Sequence, residues 1–258
     1  MSDYVDQMNQ TFRLVAKPRR IVSLVPSQTE LLYELGLEKE VVGITKFCIH
    51  PKEWFHSKNR VGGTKTIDIE KVKALKPDLI IGNKEENEQA DIEALKEIAP
   101  VWMSDIFNLE DALQMIDKIG ELTGTSSESS KLQDLISKEF SKLKARTDSI
   151  TKKTVLYFIW NEPSLVAGKN TFIDDMLSKC GFENLCAAER YPKLDNSLQP
   201  DLVLLSSEPY PFKEEHLAKF KEKYPRAEIK IVDGEMFSWY GSRLKNAPDY
   251  FRELLSND

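Results

Sequence analysis

One loop-like stretch of the chain contains three side chains of types that bind transition metals: Cys48, His50 and His56. Thiolates and imidazoles are good ligands for such metals, so the stretch is a candidate metal site. The proline and the tryptophan, Trp54, that lie among them are more typical of a loop that packs on the core or faces a ligand. These two intervening residues therefore favour a packed or ligand-facing loop, and we predict no metal site.

Large aromatic side chains follow predicted strands in the second half of the chain. Trp160 ends one strand, and Trp239 and Tyr240 lie in a predicted loop. In α/β sheets, ligands bind beyond the carboxyl ends of the strands, and flat rings there suit a large, rigid, partly apolar ligand. The alternative is that each ring only fills its own core. Arg243, in the same loop, could pair with a ligand carboxylate or phosphate, or could brace the loop.

The sequence lacks the short motifs that mark common enzyme classes. No GxGxxG follows a strand, and Walker-type Gly-Lys-Ser/Thr, HExxH and nucleophile-elbow patterns are absent. We therefore predict a non-catalytic protein that needs no cofactor.

Composition narrows the class of protein further. The 258 residues are 41% hydrophobic and 30% charged, which is typical of soluble globular domains, and the longest apolar run, 155–160, is only strand-sized. A net charge of −6 with dispersed basic residues argues against nucleic-acid binding. Three cysteines without a zinc spacing argue against a disulfide framework. The polar stretch 1–13 resembles neither a secretory signal nor a lipoprotein leader, which indicates a cytosolic chain or a leader already removed.

Predicted strands and helices alternate through most of the sequence, which implies an α/β fold with mostly parallel sheets covered on both faces. Ser27 and Glu30 form a predicted capping box at the start of the first helix, and 46–66 is a predicted long loop. The predicted strands are 20–25, 41–44, 78–81, 100–103, 154–159, 201–205 and 228–232. The predicted helices are 27–35, 68–75, 87–98, 109–122, 132–149, 173–179, 214–224 and 246–255.

Two pairs of similar segments indicate that the chain contains two related lobes. Lys76-Pro77-Asp78-Leu79-Ile80-Ile81 resembles Gln199-Pro200-Asp201-Leu202-Val203-Leu204, and 32–38 resembles 177–183 in the same order. We predict an N-terminal lobe over 1–107, a helical connection with one long helix over 108–150, and a C-terminal lobe over 151–258. Acidic residues follow both repeated strands, and they are either solvated charges or contacts for arginines of a two-fold partner. These residues are Glu85, Glu86, Glu88 and Glu208.

Five motifs together resemble the helical-backbone (class III) substrate-binding proteins, which serve ABC importers of cobalamin, iron-siderophores and heme. The resemblance covers nearly the whole chain, from about Arg20 to Leu255. Its motifs are Arg20-Ile21-Val22-Ser23-Leu24-Val25-Pro26-Ser27 with Thr29-Glu30, Val61-Gly62-Gly63-Thr64-Lys65, Ala74-Leu75-Lys76-Pro77-Asp78-Leu79-Ile80, Ala167-Gly168-Lys169-Asn170-Thr171-Phe172 and Trp239-Tyr240-Gly241-Ser242-Arg243.

The resemblance implies two Rossmann-like lobes joined by a single long backbone helix. It also implies a monomer outside the cytoplasm that binds a corrinoid, an iron-siderophore or a related metal chelate in a cleft. One glutamate per lobe would dock onto the importer permease: Glu208 in the second lobe, and one of Glu85, Glu86 and Glu88 in the first. The residues placed at the cleft are Pro26, Ser27, Phe47, His50, Trp54, Trp160, Trp239, Tyr240 and Arg243.

Two positions depart from the cobalamin branch of that family. Thr64 stands near the Gly62-Gly63 turn where a tryptophan is expected, and Asn83 stands where another aromatic residue is expected. Cobalamin nevertheless stays the first choice of ligand, because the order of motifs is nearest to that branch. The competing hypothesis is a cytosolic sensing or processing protein whose site is the loop with Cys48, His50 and His56.

Overall fold

The computed structural model describes residues 2–194 and 198–256. Its contacts group the chain into two compact units. Unit 1 comprises Met1–Ile106, Glu110–Asp134 and Tyr240–Ser242, and unit 2 comprises Phe107–Leu109, Leu135–Trp239 and Arg243–Asp258. The boundary at 134/135 falls inside the region predicted as a helical connection.

Unit 1 is built on a parallel five-stranded sheet of order β5-β4-β3-β8-β9, with two small antiparallel hairpins, β1-β2 and β6-β7. Its strands are β1 (Ser2–Val5), β2 (Thr11–Leu14), β3 (Ile21–Ser23), β4 (Val41–Ile44), β5 (Asn59–Arg60), β6 (Gly62–Gly63), β7 (Thr66–Ile67), β8 (Leu79–Asn83) and β9 (Val101–Ser104). Its helices are α1 (Pro26–Glu34), α2 (Lys52–Ser57), α3 (Ile69–Ala74), α4 (Gln89–Lys96), nearly all of α5 (Leu109–Thr123), and the first part of α6 (Ser126–Thr147).

Unit 2 contains a sheet of order β11-β10-β13-β14, with β12 also paired to β10. The pairs of β10 with β12 and β13, and of β13 with β14, are parallel, and β11 is antiparallel to β10. Its strands are β10 (Thr154–Trp160), β11 (Leu165–Val166), β12 (Glu183–Asn184), β13 (Leu202–Ser206) and β14 (Glu228–Val232). Its helices are α7 (Phe172–Lys179), α8 (Glu214–Lys223), α9 (Glu235–Ser238) and α10 (Ala247–Ser256); a 3₁₀ turn spans Ser242–Lys245.

The two units repeat one order of elements, so the sheets confirm the predicted α/β fold with mostly parallel strands. In unit 1, β3 leads through α1 to β4, which pairs with β3 in parallel; β8 then pairs with β3, and β9 pairs with β8. In unit 2, β10 leads through α7 to β12, which pairs with β10; β13 then pairs with β10, and β14 pairs with β13. The repeated sequence segments therefore occupy equivalent places in two similar sheets.

The repeated Pro-Asp pair ties the start of the central strand to its neighbour in both units. The Asp78 carboxylate accepts hydrogen bonds from the backbone N–H groups of Arg19 and Arg20, both at 2.8 Å. The Asp201 carboxylate accepts hydrogen bonds from the backbone N–H of Thr154 at 2.8 Å and from its hydroxyl at 2.7 Å. Each aspartate thus satisfies backbone donors at the point where an adjacent strand begins, which aligns the two strands.

The second repeated segment forms the same helix cap in both units. Gly36 after α1 and Gly181 after α7 have φ values of +76° and +86°. The backbone N–H of Leu37 donates to the Leu32 carbonyl at 3.1 Å, and that of Phe182 donates to the Leu177 carbonyl at 3.0 Å. Both are Schellman motifs, in which a residue with positive φ, usually glycine, ends a helix.

Three local predictions are wrong. Pro26 is the first residue of α1 and Val25 precedes it as the cap, so Ser27 lies inside the helix; proline fits that first position because it has no N–H to satisfy. The predicted loop over 46–66 contains α2, β5 and β6, which are too short to show a period. Helix α6 starts at Ser126, six residues before the predicted start at 132.

The central strands carry the core of each unit. Every residue of β8 and of β13 is buried, as expected for strands covered on both faces. In the part of the chain that the structure describes, no helix is both long enough and apolar enough to cross a membrane.

Candidate functional site

Phe47 is an exposed ring at the carboxyl end of a strand in unit 1. Its side chain is 51% exposed and follows β4, and the Lys46 ammonium lies 5.0 Å from the ring centroid. A Cβ atom on Gly63 would lie 3.2 Å from the Phe47 ring, so the hairpin formed by β6 and β7 approaches it closely. Phe47 can therefore offer a ring to a ligand without a change in the core.

The Cys48 side chain belongs to the core of unit 1. It is fully buried, and its sulfur lies 3.1 Å from the hydroxyl oxygens of both Thr29 and Thr45. Burial raises the pKa of the Cys48 thiol, which keeps it protonated. Nearby His50 is half-buried and His56 is exposed. Within residues 2–194 and 198–256, His, Cys, Asp and Glu side chains form no cluster that could hold a metal ion.

Trp54 lies in the core of unit 1 and not at an accessible surface. It is 0% exposed, and its ring packs edge-on against Tyr33 with a centroid distance of 5.3 Å. The Lys58 ammonium lies 5.1 Å from the Trp54 ring centroid. A fully buried ring cannot contact a ligand in this conformation, which corrects the prediction that it lines the ligand site.

Pro26, Ser27 and Tyr240 lie in unit 1, where two backbone segments approach closely. Pro26 is half-buried, whereas Ser27 is 3% exposed and Tyr240 is 7% exposed. A Cβ atom on Gly241 would lie 2.5 Å from the Ser27 carbonyl oxygen, so only glycine fits at that position. The backbone at the start of α1 is therefore covered by the glycine after Tyr240.

Trp160 is an exposed ring of unit 2. It ends β10, is 39% exposed, and donates from its indole nitrogen to the Glu162 carbonyl at 3.1 Å. Its ring lies edge-on to Tyr210 at a centroid distance of 5.6 Å. The indole is therefore held in one orientation while part of its surface stays open.

Tyr210 belongs to the same aromatic group, and the sequence-based prediction missed it. Its hydroxyl accepts from the side-chain amide of Asn161 at 3.3 Å and lies 3.0 Å from Nε2 of His216. Its position in the sequence could have identified it, because Tyr210 comes shortly after the repeated strand β13, at the carboxyl end where ligands bind. Its residue type alone could not have identified it.

Trp239 and Arg243 pack against each other in unit 2. Trp239 is 7% exposed, and the Arg243 guanidinium lies 4.5 Å from its ring centroid. Arg243 also forms an ion pair with Glu235, and the two side chains are 13% and 17% exposed. These contacts favour a bracing role for Arg243 in this conformation over a free cation offered to a ligand.

The Glu208 side chain points toward Ser238 and Trp239. Its carboxylate accepts hydrogen bonds from the Ser238 hydroxyl at 2.7 Å and from the Trp239 indole nitrogen at 2.9 Å. Burial, and to a lesser extent the neighbouring carboxylates of Glu235 and Asp233, raises the pKa of the Glu208 carboxyl, although the two hydrogen bonds oppose the shift. Glu208 is therefore a partly buried acid with partners inside unit 2.

The acids that follow β8 in unit 1 lie in a different environment. The Asn83 side-chain oxygen accepts from the backbone N–H groups of Glu85 at 2.8 Å and Glu86 at 3.1 Å, which fixes the turn. The Glu88 carboxylate lies 3.4 Å from the Lys65 ammonium, and the Glu88 side chain is 56% exposed. Of the four predicted docking glutamates, Glu88 is the most exposed to solvent.

Comparison with known sequences gives one consistent class of protein. The family described as "Periplasmic binding protein" matches residues 21–201. An uncharacterized ABC transporter substrate-binding lipoprotein of Bacillus subtilis is 30% identical over 191 residues, which are 70% of this chain and 60% of that protein. A vitamin B12-binding protein of Vibrio parahaemolyticus is 29% identical over 195 residues, which are 72% of this chain and 70% of that protein.

Solved structures of the same class share the fold. The apo heme-binding protein RhuT from Roseiflexus superposes with a TM-score of 0.79 at 20% identity, covering 92% of this chain and 98% of that one. The vitamin B12-binding protein BtuF of Vibrio cholerae superposes with a TM-score of 0.80 at 20% identity, covering 93% of this chain and 98% of that one. These likenesses show that the fold is that of the two-lobed binding proteins.

Proposed function

Since the chain belongs to the periplasmic binding protein family, we propose that it binds a metal chelate without transforming it and delivers it to an ABC importer. The family consists of substrate-binding transport proteins and not of enzymes. The proposed ligand class is a corrinoid, an iron-siderophore or a related metal chelate such as heme. A relative named for vitamin B12 binding and structural neighbours named for B12 and heme binding support this class.

One observation carries the proposal: each unit exposes an aromatic ring just beyond the carboxyl end of a parallel strand. Phe47 follows β4 in unit 1, and Trp160 ends β10 in unit 2, with exposures of 51% and 39%. Rings at this edge supply broad, flat contacts with little rotamer entropy to lose. We propose Phe47 and Trp160 as the principal ligand contacts, with Pro26, Ser27 and His50 as further contacts from unit 1. Trp239 and Tyr210, which packs against Trp160, are the further contacts from unit 2.

We also propose that the protein acts outside the cytoplasm, as a monomer, and docks onto a permease through surface glutamates. Glu88 is the first candidate in unit 1 because its carboxylate is exposed, and Glu85 and Glu86 are adjacent on the same turn. In unit 2, docking by Glu208 stays a prediction from the family resemblance. A permease arginine would have to compete with the hydrogen bonds that Glu208 already accepts from Ser238 and Trp239.

Calorimetric titration with cyanocobalamin, hemin and ferrioxamine B tests the binding proposal. We expect at least one chelate to bind at micromolar concentration or tighter, and to raise the unfolding temperature. A ligand present at about 100 times its dissociation constant stabilises the folded state by about 2.7 kcal/mol. Flat titrations with all three chelates, together with unchanged unfolding temperatures, would contradict the proposed function.

A further inference from the structure

We propose that Glu208 is a positioning residue, whose carboxylate holds the indole of Trp239 in the orientation that binds ligand. The inference rests on the proposed function, because it assigns Glu208 to ligand binding. It also goes beyond that function, since the family resemblance places Glu208 at the permease surface and gives it no part in binding.

The edge of the Trp239 indole is fixed by a single carboxylate oxygen. Oε1 of Glu208 accepts a hydrogen bond from the Trp239 indole nitrogen at 2.9 Å and another from the Ser238 hydroxyl at 2.7 Å. Hydrogen bonds to an ionised acceptor are about twice as strong as neutral ones. One acid therefore anchors two consecutive residues at the point where α9 ends.

The face of the same indole is fixed by a cation. The Arg243 guanidinium lies 4.5 Å from the Trp239 ring centroid and is itself paired with Glu235. A guanidinium over a tryptophan face is a favourable cation–π arrangement. With a carboxylate at its edge and a guanidinium on its face, the ring is restrained in both tilt and rotation.

The end of β13 is shaped so that the Glu208 side chain can reach Trp239. The Ser206 hydroxyl donates to the Glu208 carbonyl at 2.6 Å and accepts from the Tyr157 hydroxyl at 3.0 Å, which turns the chain after the strand. A Cβ atom on Gly234 would lie 2.6 Å from Cγ of Glu208 and 2.3 Å from the Ser206 hydroxyl. Glycine at position 234 therefore leaves the space through which the Glu208 side chain passes.

Positioning and docking make different demands on the side chain. Docking onto permease arginines needs a negative charge, whereas positioning of Trp239 needs only a hydrogen-bond acceptor at the same place. Glu208→Gln keeps the acceptor and removes the charge, and Glu208→Ala removes both. Gly234→Ala keeps the charge but displaces the side chain. These three variants separate the two roles.

The first measurement needs no ligand. We expect the indole N–H proton resonance of Trp239, assigned by comparison with a Trp239→Phe variant, to shift upfield in Glu208→Ala and Gly234→Ala. It should stay close to the wild-type position in Glu208→Gln. Glu222→Ala, on an exposed position of α8, is the matched control and should change nothing. An unchanged Trp239 resonance in Glu208→Ala would overturn the positioning role.

The second measurement is the affinity of each variant for cyanocobalamin, hemin and ferrioxamine B, compared for each chelate that the wild-type protein binds. We expect Glu208→Ala and Gly234→Ala to bind about tenfold more weakly, the usual effect of losing a hydrogen bond to a charged group, and Glu208→Gln to stay within about twofold of wild type. Equal weakening in Gln and Ala variants, or no weakening in either, would overturn the inference. Wild-type protein that binds none of cyanocobalamin, hemin and ferrioxamine B would instead contradict the proposed function, while the indole resonance still reports on Glu208.

Discussion

Strands β8 in unit 1 and β13 in unit 2 are both preceded by a Pro-Asp pair, but the acidic side chains in the loops after them have opposite exposures. Both strands start at a Pro-Asp pair whose carboxylate accepts two hydrogen bonds from the adjacent strand. After β8, the acidic side chain of Glu88 is exposed; after β13, the acidic side chain of Glu208 turns inward to Ser238 and Trp239. The repeat has kept the scaffold at the amino ends of the strands and has diverged at the carboxyl ends, where α/β proteins bind ligands.

The largest effect should come from removing the exposed ring at the strand end of each unit, Phe47 or Trp160. We expect Phe47→Ala and Trp160→Ala each to weaken chelate binding by about 2 kcal/mol, or about thirtyfold, because each variant loses aromatic surface that the bound chelate would bury. Calorimetric titration with cyanocobalamin and hemin measures the loss, and comparison of the two variants shows which unit contributes more. Leu135→Ala, which removes an apolar side chain that is 43% exposed on α6, is the control. Full affinity in both variants would contradict the proposal that Phe47 and Trp160 are the principal ligand contacts.

The matched helix caps should respond unequally to the same substitution. Gly36→Ala should lower the free energy of unfolding by about 1 kcal/mol, the cost of a side chain at positive φ, because no atom lies within 4 Å of the added methyl. Gly181→Ala should cost about 2 kcal/mol, because the methyl would also lie 3.1 Å from two carbons of Thr147. Urea unfolding measures both. Asparagine at each position, which tolerates positive φ, is the control for strain alone.

Equal losses at the two caps would mean that Thr147 moves aside without cost. A larger loss for Gly36→Ala than for Gly181→Ala would contradict the packing that the structure assigns to them.

The Pro-Asp clamps should contribute similarly in both units. We expect Asp78→Ala and Asp201→Ala each to lower the free energy of unfolding by about 1 kcal/mol, because each leaves backbone donors without their acceptor at an exposed site. Thr154→Val removes the hydroxyl, which both donates to the Asp201 carboxylate and accepts from the Asp201 backbone N–H. It should cost less than Asp201→Ala, because the Thr154 N–H still donates to the carboxylate and the Asp201 N–H still donates to the Thr154 carbonyl. Denaturant unfolding of the three variants tests this. A loss confined to one unit would show that the repeated motif no longer has the same role in both.

The parts of the molecule that sequence predicted well depend on short-range chemistry. The glycines at 36 and 181 act on residues close by in the sequence, so their role at the helix ends follows from residue type and position. The strands of three or more residues in both sheets, the helices of more than two turns and the α/β class were predicted from local sequence pattern, whereas the two-residue strands β5, β11 and β12 were not. Short elements such as α2 were missed, because six residues carry too little periodicity to distinguish a helix from a loop.

Side-chain direction at the strand ends could not be predicted, because it depends on partners distant in sequence. Trp54 and Phe47 are aromatic residues of one predicted loop, yet the first is buried and the second is exposed. Glu208 and Glu88 both follow repeated strands, yet the donors to Glu208 are the last residue of α9 and the residue after it, about thirty positions later. Sequence reasoning therefore located the functional edge of each sheet better than it located the side chains on that edge.

The smallest effect concerns the pH dependence contributed by the two acids at opposite ends of β13. Hydrogen bonds from Thr154 lower the pKa of Asp201, whereas burial raises the pKa of Glu208. The stability that Asp201 contributes is present above its unfolded pKa and is lost as pH falls below about 4. The stability linked to Glu208 has the opposite sign: it is present in acid and is lost as pH rises through the raised pKa of its carboxyl.

Unfolding temperatures measured from about pH 3 to about pH 8 should therefore separate two variants. Relative to Asp201→Asn, the wild-type protein should lose stability toward acid pH, because Asp201 must then take up a proton and lose its charge-assisted bonds. Relative to Glu208→Gln, it should lose stability as pH rises from about 4 toward neutral, because the partly buried Glu208 carboxyl must ionise. Curves that run parallel to wild type for both variants would contradict these environments, and a pH effect of Glu208→Gln confined to acid would place its carboxylate in solvent, as a docking residue requires.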